Sequence, residues 1–242
     1  DFPPANALQP ANAGGLDVVA VRIVEPCAIS FTDVPQGSTF YDAIHCMACR
    51  GNVQGYPDGT FRPNSSVTRG QLAKMVSNAA GLSDTNANQT FEDVPPGSAF
   101  YPFIERLASR GIIGGYPCGE ANEPCVAPEN RAYFRPNTDV TRAQTSKIVS
   151  IAARVASPPL GSQTFEDVPP TYPFYEWIEG MAVGGIIAGH SCGGEGEPCI
   201  EPLNRPYYRP TANVTRGQSA KIVANSFFPE CQPPEQPVSP KK

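Results

Sequence analysis

One pattern occurs three times along the chain, and this repetition constrains the fold more than any single residue does. Each copy starts with Phe-x-Asp-Val-Pro, has a Tyr ten residues after the Phe, and has glycines twenty and twenty-four residues after it. Each copy ends with an aromatic-Arg-Pro triplet and then Val-Thr-Arg-x-Gln. The copies start at Phe31, Phe91 and Phe165. So many shared offsets predict three equivalent units that pack on one another.

The second and third copies share an insertion that the first lacks. The closing Pro lies eight residues after the later Gly in the first copy and twenty-one residues after it in the other two copies. Both insertions contain a Cys-Gly-x-x-x-Glu-Pro-Cys frame. An insertion that leaves its flanks unchanged is typical of a surface loop. We therefore expect two loops closed by disulfides, Cys118–Cys125 and Cys192–Cys199.

The pattern also divides the chain into segments. The predicted repeats cover residues 29–88, 89–160 and 161–228. An N-terminal extended segment, 1–28, contains a possible strand at 16–24, and a Pro-rich tail covers 229–242. Because the chain starts at Asp1 rather than Met, we expect either a mature secreted form or a chain from which a leader was removed artificially.

Composition narrows the possible functions. The net charge is −5, and no basic stripe is present that would bind a phosphate backbone, so we expect no nucleic-acid partner. No apolar run reaches the length of a transmembrane segment. Phosphate-binding loops, nucleophile motifs and metal-binding His clusters are missing, which predicts a protein that is not an enzyme and has no metal or cofactor. Eight Cys beside two His favour disulfides.

Four further cysteines allow three pairings that the sequence does not distinguish. Cys27 precedes the first repeat and Cys231 follows the third, so a Cys27–Cys231 bond would close a ring of repeats. Cys46 and Cys49 would then pair with each other, or the two pairs would exchange partners. A redox role for Cys46 and Cys49 is disfavoured, because no strand–helix context precedes them.

Each repeat is predicted to contain two helices joined by a loop. The first helices span about 41–50, 101–110 and 175–183, and the glycines that follow are expected to be left-handed C-caps. The second helices begin at Thr68, Thr141 and Thr215, each with a Gln three residues later in a capping-box pattern. We expect the Asp of each Phe-x-Asp-Val motif to anchor the turn into the first helix. Three acidic residues are expected on helix surfaces without partners: Glu105, Glu176 and Glu179.

These motifs resemble the S-layer homology (SLH) domain family of bacterial surface proteins. The resemblance depends on Phe-x-Asp-Val, on Gly-Ile-Ile-x-Gly-Tyr at 111–116, on Tyr-Pro-Asp-Gly-Thr-Phe-Arg-Pro at 56–63, and on Val-Thr-Arg-x-Gln. It covers nearly all of residues 31–228. The resemblance implies a mainly α fold, in which three SLH repeats form a pseudo-threefold prism around a central three-helix bundle, with disulfide-closed surface loops.

The resemblance also implies a function at the bacterial cell surface or cell wall. SLH triplets typically bind secondary cell-wall polysaccharide, often with ketal-linked pyruvate, whose carboxylate a guanidinium can grip. The motif Arg next to each helix N-terminus would bind this anion, the loop Gly would let a sugar approach the backbone, and Gln replaces the usual motif Glu. The predicted glycan-binding residues are Arg69, Arg142, Arg216, Gly55, Gly115, Gly189, Gln71, Gln144 and Gln218.

An alternative function is a structural subunit that self-assembles into an extracellular coat, sheath or filament. SLH triplets usually tether another domain, and little of this chain lies outside the repeats. In this hypothesis the apolar segment at 16–24 pairs with the edge of a neighbouring copy, and the partner is another copy of the chain or another surface protein. Alternatively, the segment is a strand that lies on its own domain.

Overall fold

The computed structural model describes residues 27–85 and 88–231, and it is mainly helical. Each repeat supplies two α-helices, and a short 3₁₀ turn, Pro229–Cys231, follows the last one. In these ranges the β structure consists of isolated bridges, and no helix is long and apolar enough to cross a membrane. The expected strand at 16–24 and most of the tail lie outside the described residues. The helices are α1 Tyr41–Cys49, α2 Arg69–Ala79, α3 Tyr101–Ala108, α4 Arg142–Ala153, α5 Tyr175–Val183 and α6 Arg216–Phe227.

The predicted starts of the six helices are confirmed to within one residue. Thr68, Thr141 and Thr215 each accept a hydrogen bond from the backbone N–H of the Gln three residues later, whose side chain accepts one from the Thr backbone. This satisfies two backbone donors that a helix start leaves free. The glycines that follow the first helices by two or three residues have positive φ of 73°, 67° and 69°, namely Gly51, Gly111 and Gly185. They are left-handed as expected, but the C-cap positions themselves are held by Arg50, Ser109 and Gly184.

The repeats interlock in a cycle. Each second helix packs on the first helix of the next repeat, α2 on α3 and α4 on α5, and α6 returns to α1. The second helices α2, α4 and α6 also contact one another. Beside them, Val67 donates a backbone hydrogen bond to Val214, Val214 donates to Val140, and Val140 donates to Val67. All three valines are fully buried, so the three repeats share one interior.

The Asp of the Phe-x-Asp-Val motif has a different partner from the expected one. Asp93 accepts hydrogen bonds from the backbone N–H groups of Phe134 at 2.7 Å and Arg135 at 2.6 Å. Asp33 and Asp167 make the same pair of bonds in their own repeats. The Asp therefore fastens the start of each repeat to its closing aromatic-Arg pair. This contact stabilises an Arg with left-handed backbone, at a φ of 59° for Arg135.

Two glutamates predicted to be on helix surfaces are buried instead. Glu105 and Glu179 are fully buried on α3 and α5. Glu105 accepts hydrogen bonds from the backbone N–H and hydroxyl of Thr90, and Glu179 accepts the same pair from Thr164. The prediction was wrong because the Thr lies just before the motif Phe, fifteen residues from the Glu, and only folding brings the two together.

The disulfides confirm the two predicted insertion pairs and select one of the three pairings left open for the other four cysteines. Cys118–Cys125 and Cys192–Cys199 form as expected. The remaining bonds are Cys27–Cys49 and Cys46–Cys231, so the pairings Cys27–Cys231 and Cys46–Cys49 are wrong. The reason is that α1 packs against α6 and against the 3₁₀ turn that follows α6. This packing brings Cys231 of the turn against Cys46 of α1. A bond between the first repeat and the end of the third therefore exists, but through the exchanged partners.

Candidate functional site: three grooves between repeats

Three equivalent grooves lie between the repeats, with cavity volumes of about 220, 200 and 380 Å³. Residues from all three repeats line each groove. One repeat supplies its loop and second helix, the next supplies a Phe at the start of its first helix, and the previous one supplies its motif Arg. The equivalent lining residues are Tyr56, Gln71, Lys74, Phe100 and Arg216 in groove A; Tyr116, Gln144, Lys147, Phe174 and Arg69 in groove B; and His190, Gln218, Lys221, Phe40 and Arg142 in groove C.

The motif arginines lie at the groove floors and are largely buried. Arg69 is 6% exposed. Its Nε donates to the carbonyl oxygen of Phe134 at 2.7 Å, and an Nη donates to that of Gly114 at 3.0 Å. Arg142 and Arg216 bind the corresponding carbonyls of the third and first repeats. Burial lowers the pKa of Arg69 and of Arg216. Each Arg thus joins one repeat to the next, in addition to placing a positive charge at the floor of a groove.

The motif Gln and Arg face different grooves. Arg69 and Gln71 are two residues apart on α2, but Arg69 lines groove B and Gln71 lines groove A. The side-chain oxygen of each Gln is used in its capping box. In groove B the Nε2 of Gln144 donates to the Tyr116 hydroxyl at 3.1 Å. The predicted Arg and Gln line all three grooves, whereas the predicted Gly lines grooves A and B but not groove C, where Gly189 is not a lining residue. Each groove combines motifs from two repeats.

The loop glycines are required by packing inside their own repeat. A Cβ on Gly115 would lie 2.7 Å from the Phe91 ring and 2.8 Å from the Tyr133 carbonyl oxygen. Gly55 and Gly189 face the equivalent ring and carbonyl at similar distances. The repetition of these glycines thus has a physical cause that involves no ligand.

Sequence reasoning missed three lysines that line the grooves. Lys74, Lys147 and Lys221 each lie one turn after the groove Gln. In the described part of the chain none of them forms an ion pair with a carboxylate. The missed signal was a Lys three residues after the Gln in all three Val-Thr-Arg-x-Gln motifs.

Charge makes the grooves distinct from the rest of this acidic chain. Each groove is lined by one Arg and one Lys, and none of the described residues that line them is Asp or Glu. Groove C differs from the others in having His190 where they have Tyr. Burial, together with the nearby Arg209 and Arg142, lowers the pKa of His190. The grooves can therefore attract an anionic group through their Arg and Lys.

The insertions lie beside grooves B and C and are rigidly closed. Arg135 donates two hydrogen bonds to Glu123 at 2.6 and 2.7 Å, and Arg209 does the same with Glu197. The Tyr133 hydroxyl donates to the Pro124 carbonyl oxygen at 2.9 Å. A disulfide and an ion pair thus fix the shape of each insertion.

The chain is similar in sequence to known proteins of the bacterial surface. Residues 30–73 and 90–146 match the model of the S-layer homology domain. The chain is 25% identical to S-layer protein EA1 of Bacillus anthracis over 228 residues, which is 90% of the chain and 23% of the relative. It is 34% identical to outer membrane protein SlpA of Deinococcus radiodurans over 93 residues, or 37% of the chain and 8% of the relative.

The similarity extends to an enzyme, the amylopullulanase of Thermoanaerobacterium thermosulfurigenes. Identity is 25% over 186 residues, 75% of the chain but only 9% of that protein. The chain thus spans less than a quarter of the length of these relatives. The matches indicate a location at the bacterial cell surface or cell wall, and they favour a non-catalytic module.

Proposed function

We propose that this chain is a non-catalytic module that holds its protein to the bacterial wall by binding an acidic wall polysaccharide, including pyruvylated forms. In this proposal all three repeats are SLH repeats, arranged as a pseudo-threefold prism around a central bundle of α2, α4 and α6. The observation that carries the binding proposal is the pairing of one Arg with one Lys in each groove, without a lining carboxylate.

The lysines are the groups best suited to test this proposal. Their ammonium groups have no carboxylate partner among the described residues, whereas the motif arginines also hold the repeats together. An acidic ligand would gain charge-assisted hydrogen bonds from each Lys. Because Lys is a flexible point charge, it can reach an anion that lies above the buried guanidinium.

The test is sedimentation of the purified, oxidised chain with isolated cell walls. The triple variant Lys74→Gln, Lys147→Gln and Lys221→Gln is expected to bind at least tenfold more weakly and to depend less on salt concentration. The matched control removes three positive charges outside the grooves, with Arg50→Gln, Arg110→Gln and Arg154→Gln, and is expected to bind as wild type does. Equal binding by both triple variants would rule out the grooves as the wall-binding site.

A second candidate function is a subunit that self-assembles into a coat, sheath or filament. The observation that favours it is exposed apolar side chains on the insertions, with Val126 42%, Ile200 48% and Leu203 61% exposed. Light scattering and electron microscopy across a concentration series test this function. Regular assemblies that disappear with Val126→Ser, Ile200→Ser and Leu203→Ser would support it, and a stable monomer at all concentrations would exclude it.

A further inference from the structure

The three grooves differ at one position close to their shared Phe. The residue three positions after that Phe lies on the same helix face. It is Ala43 after the Phe of groove C, Phe103 after that of groove A and Trp177 after that of groove B, and all three lie just outside the lining residues. Ala43 is buried, whereas Phe103 and Trp177 are half-buried. The grooves therefore share their cations but differ in the aromatic surface next to them.

In groove B, Trp177 forms an aromatic surface together with the groove Lys. The Nζ of Lys147 lies 4.5 Å from the centroid of the indole ring and 6.0 Å from that of Phe174. The centroids of the Phe174 and Trp177 rings are 6.0 Å apart. In groove A the corresponding Lys74 is 5.5 Å from the Phe103 ring. Groove B thus has the largest aromatic surface next to its ammonium group.

The other side of groove B is a Tyr held in place by two contacts. The Tyr116 hydroxyl accepts a hydrogen bond from Gln144, and the Arg135 guanidinium lies 4.0 Å from the centre of its ring. Groove B therefore has aromatic rings on two sides and two cations, Arg69 and Lys147. A sugar ring has an apolar face of C–H groups, which suits the negative face of an aromatic ring. An acid substituent on the sugar suits the cations.

Building on the proposed function, we propose that groove B is the principal sugar site of this chain. The ring of an acidic sugar residue packs against Trp177, and its carboxylate pairs with Lys147. Grooves A and C, which have a smaller ring and no ring at this position, bind the same residue more weakly. Lys147 leaves its place over the indole and turns to the carboxylate when the sugar binds.

The chain provides its own probe, because Trp177 is its only tryptophan. The oxidised full chain is titrated with a methyl hexoside that carries a 4,6-linked pyruvate ketal, and with the same hexoside without the ketal. We expect a saturable change in tryptophan emission with the ketal and at least tenfold weaker binding without it. Lys147→Gln is expected to remove this difference, and Arg154→Gln, which removes a positive charge outside the grooves, is expected to leave the titration unchanged.

Calorimetry with the Trp177 variants completes the test. Trp177→Ala is expected to weaken the tightest binding step about tenfold, the size of one lost aromatic contact, and Trp177→Phe to weaken it less. Leu160→Ala, which truncates a fully exposed apolar side chain outside the grooves, is the control and is expected to leave this step unchanged. Circular dichroism checks the folding of each variant, and Trp177→Phe keeps the test valid if the Ala variant does not fold.

The outcomes separate this inference from the proposed function. If calorimetry detects binding but tryptophan emission stays constant and Trp177→Ala binds like wild type, groove B is not the principal site, although the proposed function stands. If the chain binds isolated walls but not the ketal hexoside, the proposed ligand of groove B is wrong. If it binds neither, both proposals fail.

Discussion

Replacing Arg216 by Ala should destabilise the whole fold, because this side chain joins the third repeat to the first. It is 7% exposed, and it donates to the carbonyl oxygens of Phe61 at 2.8 Å and Gln54 at 3.1 Å. Its guanidinium also lies 4.4 Å from the centre of the Phe61 ring. The variant would leave two carbonyls without a donor in a partly closed space.

The magnitude follows from these contacts. Hydrogen bonds from a charged donor contribute roughly 1.5–3 kcal/mol each, and a partly desolvated cation–π contact adds about 1 kcal/mol. Part of this is offset, because burial penalises the charged guanidinium and lowers its pKa. We therefore expect the free energy of unfolding to fall by about 3 kcal/mol.

The assay is urea unfolding of the oxidised chain, followed by far-ultraviolet circular dichroism. The matched control is Arg110→Ala, which removes an exposed ion pair with Asp84 and should cost less than about 1 kcal/mol. A finding that Arg216→Ala unfolds at the same urea concentration as wild type, yet no longer binds walls, would refute this reasoning. It would show that Arg216 serves the ligand and not the contact between repeats.

Three further predictions concern packing, disulfides and pH. Gly115→Ala should lower the free energy of unfolding by roughly 1–3 kcal/mol, because the added Cβ would clash with Phe91. The control Gly114→Ala adds a Cβ in open space and should leave the free energy of unfolding nearly unchanged in the same urea assay. Replacing Cys46 and Cys231 by Ala opens a loop with a sequence separation of 185 and should cost about 5 kcal/mol by the chain-entropy estimate; the same change at Cys118 and Cys125, separated by 7, should cost about 2.5 kcal/mol. The Asp58 carboxylate accepts hydrogen bonds from the Thr60 hydroxyl, the Arg62 guanidinium and the Thr60 backbone N–H, and these bonds lower its pKa from 3.8 to about 2. Because the pKa of Asp58 is lower in the folded chain than in the unfolded chain, these hydrogen bonds stabilise the fold above pH 3.8. This stabilisation is lost as the pH falls towards 2. An NMR titration of the Asp58 carboxyl carbon checks this, and a midpoint near 3.8 would contradict it.

Local patterns predicted the helices well because each signal acts within a few residues. The capping boxes at Thr68, Thr141 and Thr215 involve groups three residues apart. The left-handed glycines after the first helices depend on the conformational freedom of one residue. The two insertion disulfides join cysteines separated by 7, so their pairing was also a local matter.

The candidate site was predicted only in part. The motif Arg and Gln come together in every groove and the Gly in two of them, but the sequence did not reveal that Arg69 lines a different groove from Gln71. Nor did it reveal the structural role of Arg69, whose partner Phe134 lies 65 residues away. Lys74, Lys147 and Lys221 were missed although they recur at a fixed offset, because a Lys on an amphipathic helix usually lies on its solvated face.

The sequence by itself determined the number of repeats in the pattern, the positions of the helices and the closed insertions, because these depend on short-range capping, periodicity and spacing. Only the tertiary structure decided how the repeats interlock, which charges are buried and which cysteines pair around α1. These features depend on groups that are distant in the chain and are brought together when the second helices pack on one another and on the following repeat. The grooves are of this second kind, since each one needs side chains from all three repeats.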